Sequence, residues 1–211
     1  MNIDVLVVNP FQVNAYIISD AARNAVLIDM AGYDTTELHQ IAAFIEDKQL
    51  NPIALISTHG HLDHVCGNIF FKEHYHVPLY MHADDRFLID TATAHASAFG
   101  LSVEKPPYAD ILLDDMEIVK FNEDLQFTVL HVPGHSPGSI ALYSESDAFV
   151  ITGDALFAGS IGRTDLPRGN YDMLISSIRN KLMTLPDNTR VLPGHMHPSS
   201  IGDEKQTNPY L

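Results

Sequence analysis

Four metal-binding side chains fall within six residues of the chain, in the segment His59-Gly60-His61-Leu62-Asp63-His64. The apolar run 53–57 just before it predicts a strand. In an extended segment, side chains at positions i and i+2 point the same way, so His59 and His61 can converge on one ion. The turn into a following helix can aim Asp63 and His64 at a second ion. A polar loop without metal is disfavoured, because donors this dense would repel one another when protonated or would each need a separate partner.

Three further donors each follow a predicted strand. They are His135 in Val132-Pro133-Gly134-His135, Asp154 in Ile151-Thr152-Gly153-Asp154, and His195 in Leu192-Pro193-Gly194-His195. Singly, a Pro-Gly-His segment is more often a turn, and a Gly-Asp segment is more often the end of a strand. Together they place one donor at each of three strand ends, where rigid elements present functional loops. Imidazole and carboxylate donors suit zinc, iron or manganese, and the absence of thiolates argues against a structural zinc-finger site.

Apolar periodicity along the rest of the chain predicts both strands and helices. The predicted strands are residues 4–8, 12–19, 25–29, 53–57, 79–81, 116–121, 125–132, 139–144, 148–152 and 190–192. The predicted helices are residues 35–49, capped by Thr35 or Thr36, followed by 65–75, 83–98 and 171–185. Asn51-Pro52 is expected to separate the first helix from the next strand. Two strand-rich halves that each carry helices predict an α/β protein with an αββα four-layer sandwich. We expect a single domain over residues 1–211, since no linker is long enough to divide it.

The charge balance limits the partners that this chain can have. Its formal net charge is −15, and a surface this acidic repels nucleic acid and anionic lipid. We therefore expect a small-molecule substrate, and neither nucleic acid nor a membrane as a partner. An anionic substrate would need positive charge inside the site.

The single cysteine and the N-terminus bear on the compartment. Cys66 is the only cysteine, so an intrachain disulfide is excluded, which fits a reducing compartment. Residues 1–4 carry no basic region of a signal peptide, and no apolar stretch approaches the roughly 18 residues of a membrane span. We expect a cytoplasmic protein. Cys66 itself is expected to pack rather than to act as a nucleophile.

Histidine is unusually abundant, with twelve residues against twelve lysines and arginines. The clusters above account for five of the histidines. Five others are expected to be ordinary surface side chains: His39, His74, His76, His82 and His95.

The ordered donors, from the His59 cluster through His135 and Asp154 to His195, resemble the pattern of the metallo-β-lactamase superfamily. Within that superfamily, residues 153–165 (GDALFAGSIGRTD) and the ending Glu204-x-x-x-Asn208-Pro209 resemble the short, single-domain glyoxalase II-type hydrolases. The resemblance covers nearly the whole chain. Its metal motifs are highly specific for the fold, and the Gly-Arg-Thr-Asp segment is specific for the glyoxalase II and persulfide dioxygenase branch.

The resemblance implies a role for each donor. His59, His61 and His135 would hold the first of two divalent ions, most often zinc, with iron or manganese as alternatives. Asp63, His64 and His195 would hold the second, and Asp154 would bridge the two. A hydroxide shared by the ions would attack a carbonyl carbon, with Asp63 orienting it, so that Asp63 and Asp154 are the residues closest to the chemistry.

The resemblance also implies a substrate class, a small acyl thioester such as S-lactoylglutathione. Full-length glyoxalase II has a C-terminal helical domain that supplies basic residues for glutathione, and residues 196–211 hold no counterpart of it. Arg163 and Arg168 are therefore the expected substrate contacts, although Arg163 could instead pair with Asp165 and brace its loop.

Two other functions remain open at this stage. One is a persulfide dioxygenase with one iron held by His59, His135 and Asp154. The other is a metal-binding protein without catalysis, which is disfavoured because every ligand position is filled.

Two residues near the predicted ligands have open roles. Asp29 ends a predicted strand and could fix the tautomer of a ligand histidine, or it could shape a helix-entry turn. His197 could reach the metal or the substrate, or it could be a solvated turn histidine.

Overall fold

A computed structural model describes residues 1–98 and 100–211. The strands are β1 (Asn2–Val8), β2 (Val13–Ser19), β3 (Asn24–Ile28), β4 (Asn51–Ile56), β5 (Leu79–Met81), β6 (Ile111–Leu112), β7 (Ile118–Lys120), β8 (Gln126–His131), β9 (Ile140–Ser144), β10 (Phe149–Gly153), β11 (Leu156–Phe157), β12 (Ser160–Ile161), β13 (Arg190–Pro193) and β14 (Ser199–Ser200). The helices are α1 (Thr35–Asp47), α2 (Leu62–Val65), α3 (Asn68–Tyr75), α4 (Arg86–Ala98), α5 (Tyr171–Ser177) and α6 (Ile201–Thr207). A 3₁₀ turn at Ala83–Asp85 precedes α4, and a π-helical turn at Ile178–Leu182 continues α5. Within the described part of the chain, every helix falls short of the length and apolar character that a bilayer crossing requires.

The strands form two larger sheets and one small hairpin. The first sheet has the order β1-β2-β3-β4-β5-β6, and β3 to β6 run parallel. The second has the order β14-β13-β10-β9-β8-β7, in which β10 and β13 are parallel. Strands β8 and β10 are both antiparallel to β9, so β8, β10 and β13 run in the same direction. Among the described residues, strands β11 and β12 form a separate two-stranded hairpin.

Three apolar clusters show that the sheets and helices lie in four layers. Tyr16 and Ile28 of the first sheet pack against Phe127 and Ile151 of the second, in a cluster between the two sheets. The opposite face of the first sheet packs against α1 and α3. The opposite face of the second sheet packs against α5 and the π-helical turn. The predicted αββα arrangement is therefore confirmed, because each sheet buries one face against the other sheet and one against helices.

The predicted boundaries need four corrections. Asp34, and neither Thr35 nor Thr36, caps α1, because the Asp34 carboxylate accepts from the Glu37 N–H at 2.9 Å. Asn51 and Pro52 lie within β4, opposite Asn24 and Ala25, where the register shifts. The helix predicted over 65–75 begins only at Asn68, as α3, and a separate short helix, α2, precedes it over Leu62–Val65, with Gly67 between the two. A Cβ at Gly67 would overlap the Met30 carbonyl oxygen, so close packing fixes this break. The helix predicted over 171–185 ends at residue 182, and its last five residues are π-helical.

Candidate metal centre

All seven predicted donors lie where strand ends from both sheets meet. The segment that follows β4 carries His59 and His61, and α2 carries Asp63 and His64. His135, Asp154 and His195 follow the ends of β8, β10 and β13, which share a direction. Two backbone hydrogen bonds join the sheets here, from Ile140 N to Thr58 O at 2.9 Å and from Asn14 N to Gly194 O at 2.7 Å.

The first donor group consists of His59, His61 and His135. The Nε2 atoms of His59 and His135 are 3.3 Å apart, and Nδ1 of His61 is 2.8 Å from His135 Nε2. The three side chains are almost fully buried. Three imidazole nitrogens that converge on one point have the arrangement of a three-histidine metal site.

The second donor group consists of Asp63, His64 and His195. Asp63 Oδ2 is 3.4 Å from His195 Nε2 and 3.9 Å from His64 Nε2, and the two histidine Nε2 atoms are 3.3 Å apart. His64 is buried, whereas Asp63 and His195 are partly exposed. This group is therefore more exposed to solvent than the first group.

Asp154 lies between the two groups. Its Oδ1 is 3.3 Å from His64 Nε2, and its Oδ2 is 3.4 Å from His195 Nε2 and 3.6 Å from His135 Nε2. Gly194 permits this placement, since a Cβ there would overlap Asp154 Oδ1 and would lie 2.8 Å from His64 Cε1.

The donors fit divalent ions on a direct structural test. Asp154 Oδ1 and His61 Nε2 are buried without a hydrogen-bond partner in the described part of the chain. Buried polar atoms are normally paired, and an unpaired carboxylate oxygen is costly in this setting. A cation between the two groups would satisfy that oxygen and would also separate the facing imidazole nitrogens. We conclude that the cluster is built to bind metal ions, and its donor types do not choose among zinc, iron and manganese.

The metal-free protonation states differ between the groups. Burial, reinforced by the neighbouring histidines, lowers the pKa of His59 well below its usual value and that of His61 to about 3. These imidazoles are therefore neutral, with lone pairs free for a metal. Burial also disfavours the charge of His64, but Asp154, Asp29 and Asp63 outweigh it and raise its pKa well above the usual value. Burial likewise opposes charge on His195, and hydrogen bonds to Asp154 and Asp63 nevertheless raise its pKa to about 9.

A layer of hydrogen bonds behind the donors fixes the ring orientations. Asp29 accepts from His64 Nδ1 at 2.9 Å and from the Thr58 N–H and hydroxyl at 2.7 Å each. His135 Nδ1 donates to the Arg163 carbonyl at 2.8 Å. In both rings Nδ1 is engaged in this bond, so Nε2 is the nitrogen that faces the donor cluster. Of the two roles open to Asp29, the structure shows the one that fixes the His64 tautomer.

Asp85 is a functional residue that the sequence analysis missed. Its buried carboxylate accepts from Gly60 N at 2.8 Å, from Gly138 N at 2.6 Å and from Ser136 Oγ at 2.6 Å. Burial raises its pKa although these donors oppose the shift. Gly60 lies between two donors and Ser136 follows a third, so Asp85 ties the two ligand loops together. It comes shortly after predicted strand 79–81, so the rule applied to the other strand ends could have found it.

A cavity of about 530 Å³ opens beside the donor cluster. Its lining includes His61, Asp63, His135, Asp154 and His195, and otherwise it is mostly apolar. The lining residues outside the donor cluster are Phe11, Leu62, His95, Phe157, Ser160, Ile161, Arg163, Leu166, Pro167 and Met196.

The two arginines predicted to contact substrate have different positions. Arg163 lines the cavity, and its Nε and Nη2 donate to the two oxygens of Asp165 at 2.7 Å each. Arg168 is not among the lining residues, and its guanidinium carbon lies 4.0 Å from the centre of the Phe87 ring.

Three other side chains, His197, Cys66 and His82, lie outside the seven-donor cluster. His197 is exposed and belongs to none of the donor groups found in the described residues. Cys66 donates to the Ala31 carbonyl at 3.1 Å, and burial raises its pKa to about 12, which suits a packing role. His82 was expected at the surface but is buried, with its ring stacked 4.1 Å from that of His131.

Comparisons with known proteins agree with this architecture. The model of the metallo-beta-lactamase superfamily matches residues 8–195. Hydroxyacylglutathione hydrolase GloC of Haemophilus influenzae is 40% identical over 100% of this chain and 98% of its own length. Two solved structures are similar over nearly all of both chains. TTHA1623 in a di-iron-bound form has a TM-score of 0.88 at 38% identity, covering 99% of this chain and 100% of its own. BLEG-1 B3 metallo-beta-lactamase has a TM-score of 0.92 at 33% identity, covering 100% of this chain and 99% of its own. The chain therefore belongs to the metallo-beta-lactamase superfamily and is a metal-dependent hydrolase of that superfamily.

Proposed function

We propose that the protein hydrolyses a small acyl thioester with two divalent metal ions, and that S-lactoylglutathione is the first substrate to test. Full-length similarity to a hydroxyacylglutathione hydrolase supports this substrate class. Zinc is the first choice of metal, and the di-iron form of a similar structure makes iron the second. The net charge of −15 supports a small molecule rather than nucleic acid or a membrane surface as the partner.

The position of Asp154 is the observation that carries the proposal. One carboxylate lies close to His135 of the first group and to both histidines of the second, and this supports a role for it as a ligand shared by two ions. Two divalent ions held there would supply Lewis-acid polarisation of a carbonyl and a nucleophile derived from water at neutral pH.

The side chains around the ions have separable tasks. Asp63 lines the cavity and is partly exposed, so its carboxylate can accept a hydrogen bond from the attacking water and orient it. The buried histidines of the first group exclude bulk water from one side of the reaction centre. A thiolate is a good leaving group, so the reaction needs no strong general acid, which agrees with the mostly apolar walls of the cavity.

Arg163 retains N–H donors for the substrate, since the pair with Asp165 uses two of the five on its guanidinium. Asp165 takes Nε and Nη2, which leaves Nη1 outside that pair. The pairing predicted as an alternative and a substrate contact are therefore compatible in geometry. Because the pair is exposed, it contributes little to stability, and its main effect is to hold the guanidinium in one orientation.

A persulfide dioxygenase is the second candidate. His59, His135 and Asp154 converge, with His135 Nε2 lying 3.3 Å from His59 Nε2 and 3.6 Å from Asp154 Oδ2. These three could hold one iron on their own, and the Gly162-Arg163-Thr164-Asp165 loop occurs in both branches of the resemblance.

Metal analysis followed by a substrate panel tests the proposal. We expect two metal ions per chain and turnover of at least one acyl thioester, independent of oxygen. The panel should include a β-lactam, because one similar structure is a metallo-beta-lactamase. A metal-replete protein that cleaves no thioester would overturn the proposal. One iron per chain with oxygen uptake on glutathione persulfide would establish the second candidate instead.

A further inference from the structure

The cavity walls carry few groups that can bind a polar part of the substrate. Among the described lining residues outside the donor cluster, only His95, Ser160 and Arg163 have polar side chains. The other lining residues are apolar, so they favour an apolar body of the substrate. Outside the donor cluster, these three are therefore the wall side chains that can donate a hydrogen bond to a carboxylate on the substrate, in a protein whose net charge disfavours anions.

The charge of Arg163 is already partly neutralised. Both oxygens of Asp165 receive hydrogen bonds from its guanidinium, and the side chain is 62% exposed. Arg168, the second cation expected to contact substrate, stacks on Phe87 outside the cavity. Of the two arginines expected to contact substrate, only Arg163 is on the cavity wall, and its Nη1 lies outside the pair with Asp165.

Unlike Arg163, His95 is not paired with a carboxylate among the described residues. It lies in the last turn of α4 and is half-buried, and it has no hydrogen bond, ion pair or ring contact with any described residue. It belongs to none of the donor groups within reach of a metal ion. It was expected to be an ordinary surface histidine, but the structure places it on the cavity wall.

Two contacts hold α4 in place against the metal centre. The helix begins directly after Asp85, which binds both ligand loops. Near its start, Phe87 stacks against Arg168 of the loop that also carries Arg163. These contacts connect α4, which bears His95, to both ligand loops and to the loop that bears Arg163.

We propose that His95 is a specificity-determining residue that hydrogen-bonds a carboxylate or similar acceptor on the substrate, at a distance from the scissile bond. The substrate class is then a thioester with an apolar body and an anionic group, held between His95 and Arg163 Nη1. This inference rests on the proposed thioester hydrolysis, and it assigns His95 to binding and not to the chemical step.

Steady-state kinetics with two thioesters tests the assignment. S-lactoylglutathione carries carboxylates, and the matching lactoyl thioester of N-acetylcysteamine is uncharged. In His95→Phe, we expect KM for S-lactoylglutathione to rise about tenfold, the loss expected for one hydrogen bond to a charged group. We expect KM for the uncharged thioester to change less than twofold, and kcat to change less than KM for both substrates. His95→Gln keeps an N–H donor and should recover most of the loss.

Control variants and the wild type separate the outcomes. His74→Phe places the same phenyl ring on α3, outside the cavity lining, and should match the wild type on both substrates. Equal KM changes for the two thioesters, or a change confined to kcat, would overturn the assignment of His95 while leaving thioester hydrolysis intact. A metal-replete wild type that cleaves neither thioester would overturn both proposals.

Discussion

The buried carboxylate of Asp85 should control the geometry of the first metal site without touching a metal. Its three hydrogen bonds reach Gly60 between two donors, and Ser136 and Gly138 just after a third. Asp85→Asn keeps the size of the side chain but removes one accepting oxygen. Oδ2 accepts from both Gly60 N and Ser136 Oγ, so the amide oxygen can replace it, and the new NH₂ group then faces the Gly138 N–H.

The magnitude follows from those contacts. One charge-assisted hydrogen bond is lost, two become neutral, and the Gly138 N–H is left buried without an acceptor. Part of this loss is offset, because the substitution also removes a carboxylate whose pKa is already raised by burial. The net destabilisation should be roughly 2–3 kcal/mol. Loss of a residue that orients metal ligands typically costs 10- to 100-fold in metal affinity, and we expect a loss in that range.

Urea unfolding of the metal-free protein and metal titration by calorimetry measure the two effects. Asp47→Asn is the matched control and should behave as the wild type, since Asp47 is exposed, pairs with no described residue and belongs to none of the donor groups found among them. Activity of Asp85→Asn should recover at high metal concentration, because the catalytic side chains are unchanged. Wild-type stability together with wild-type metal affinity in Asp85→Asn would refute the role given to this residue.

Three further predictions concern close packing, protons and the thiol. Gly194→Ala should lose the second metal ion and at least tenfold in turnover, because the new Cβ would overlap Asp154 Oδ1. Gly202→Ala is the control and should keep both ions, since the nearest atom to its new Cβ would be 3.1 Å away. Two retained ions in Gly194→Ala would contradict the packing argument. Without metal, the pKa of His195 is about 9 and the pKa of His64 is also raised, whereas the pKa of His61 is about 3. As the pH falls, protons should therefore compete with the second ion but not with the first. Dialysis at stepped pH from about 8 to 6, followed by metal analysis, should show the second ion leaving first, and simultaneous loss of both would contradict this order. With the pKa of Cys66 at about 12, only about one thiol in 10⁴ is ionised at about pH 8. Iodoacetamide should therefore label the protein in urea but not when it is folded. Rapid labelling of the folded protein would contradict the burial of this thiol.

The donors could be found from the sequence because each follows an apolar run that is a strand. The three strand ends carrying His135, Asp154 and His195 belong to a different sheet from β4, so the strand pattern alone does not bring them to the His59 cluster. The resemblance to the metallo-β-lactamase pattern is what grouped them. Asp85 also follows a predicted strand, but the sequence predicts one helix over residues 83–98, and a carboxylate in the first turn of a helix does not indicate contacts with two distant loops.

The errors arise where contacts across the fold decide the structure. Three adjacent residues, Asp34, Thr35 and Thr36, can all cap a helix, and the backbone geometry at residue 34 selects the first. The break between α2 and α3 depends on Gly67 packing against Met30, and Arg168 is drawn to Phe87 far away in the chain. Strands of two residues, such as β6 and β14, are defined by their pairing partners and have no periodicity of their own.

The metal content of the wild type and of Asp154→Ala tests the central claim most directly. Asp154 contacts histidines of both donor groups, so its loss would leave two neighbouring cations without their shared anion. Elemental analysis should find two metal ions per chain in the active wild type, and at most one in Asp154→Ala, with most of the thioester turnover lost. His195→Ala should keep the first ion and lose the second. Two tightly bound ions and a near-normal rate in Asp154→Ala would contradict the bridging position, and with it the two-metal mechanism.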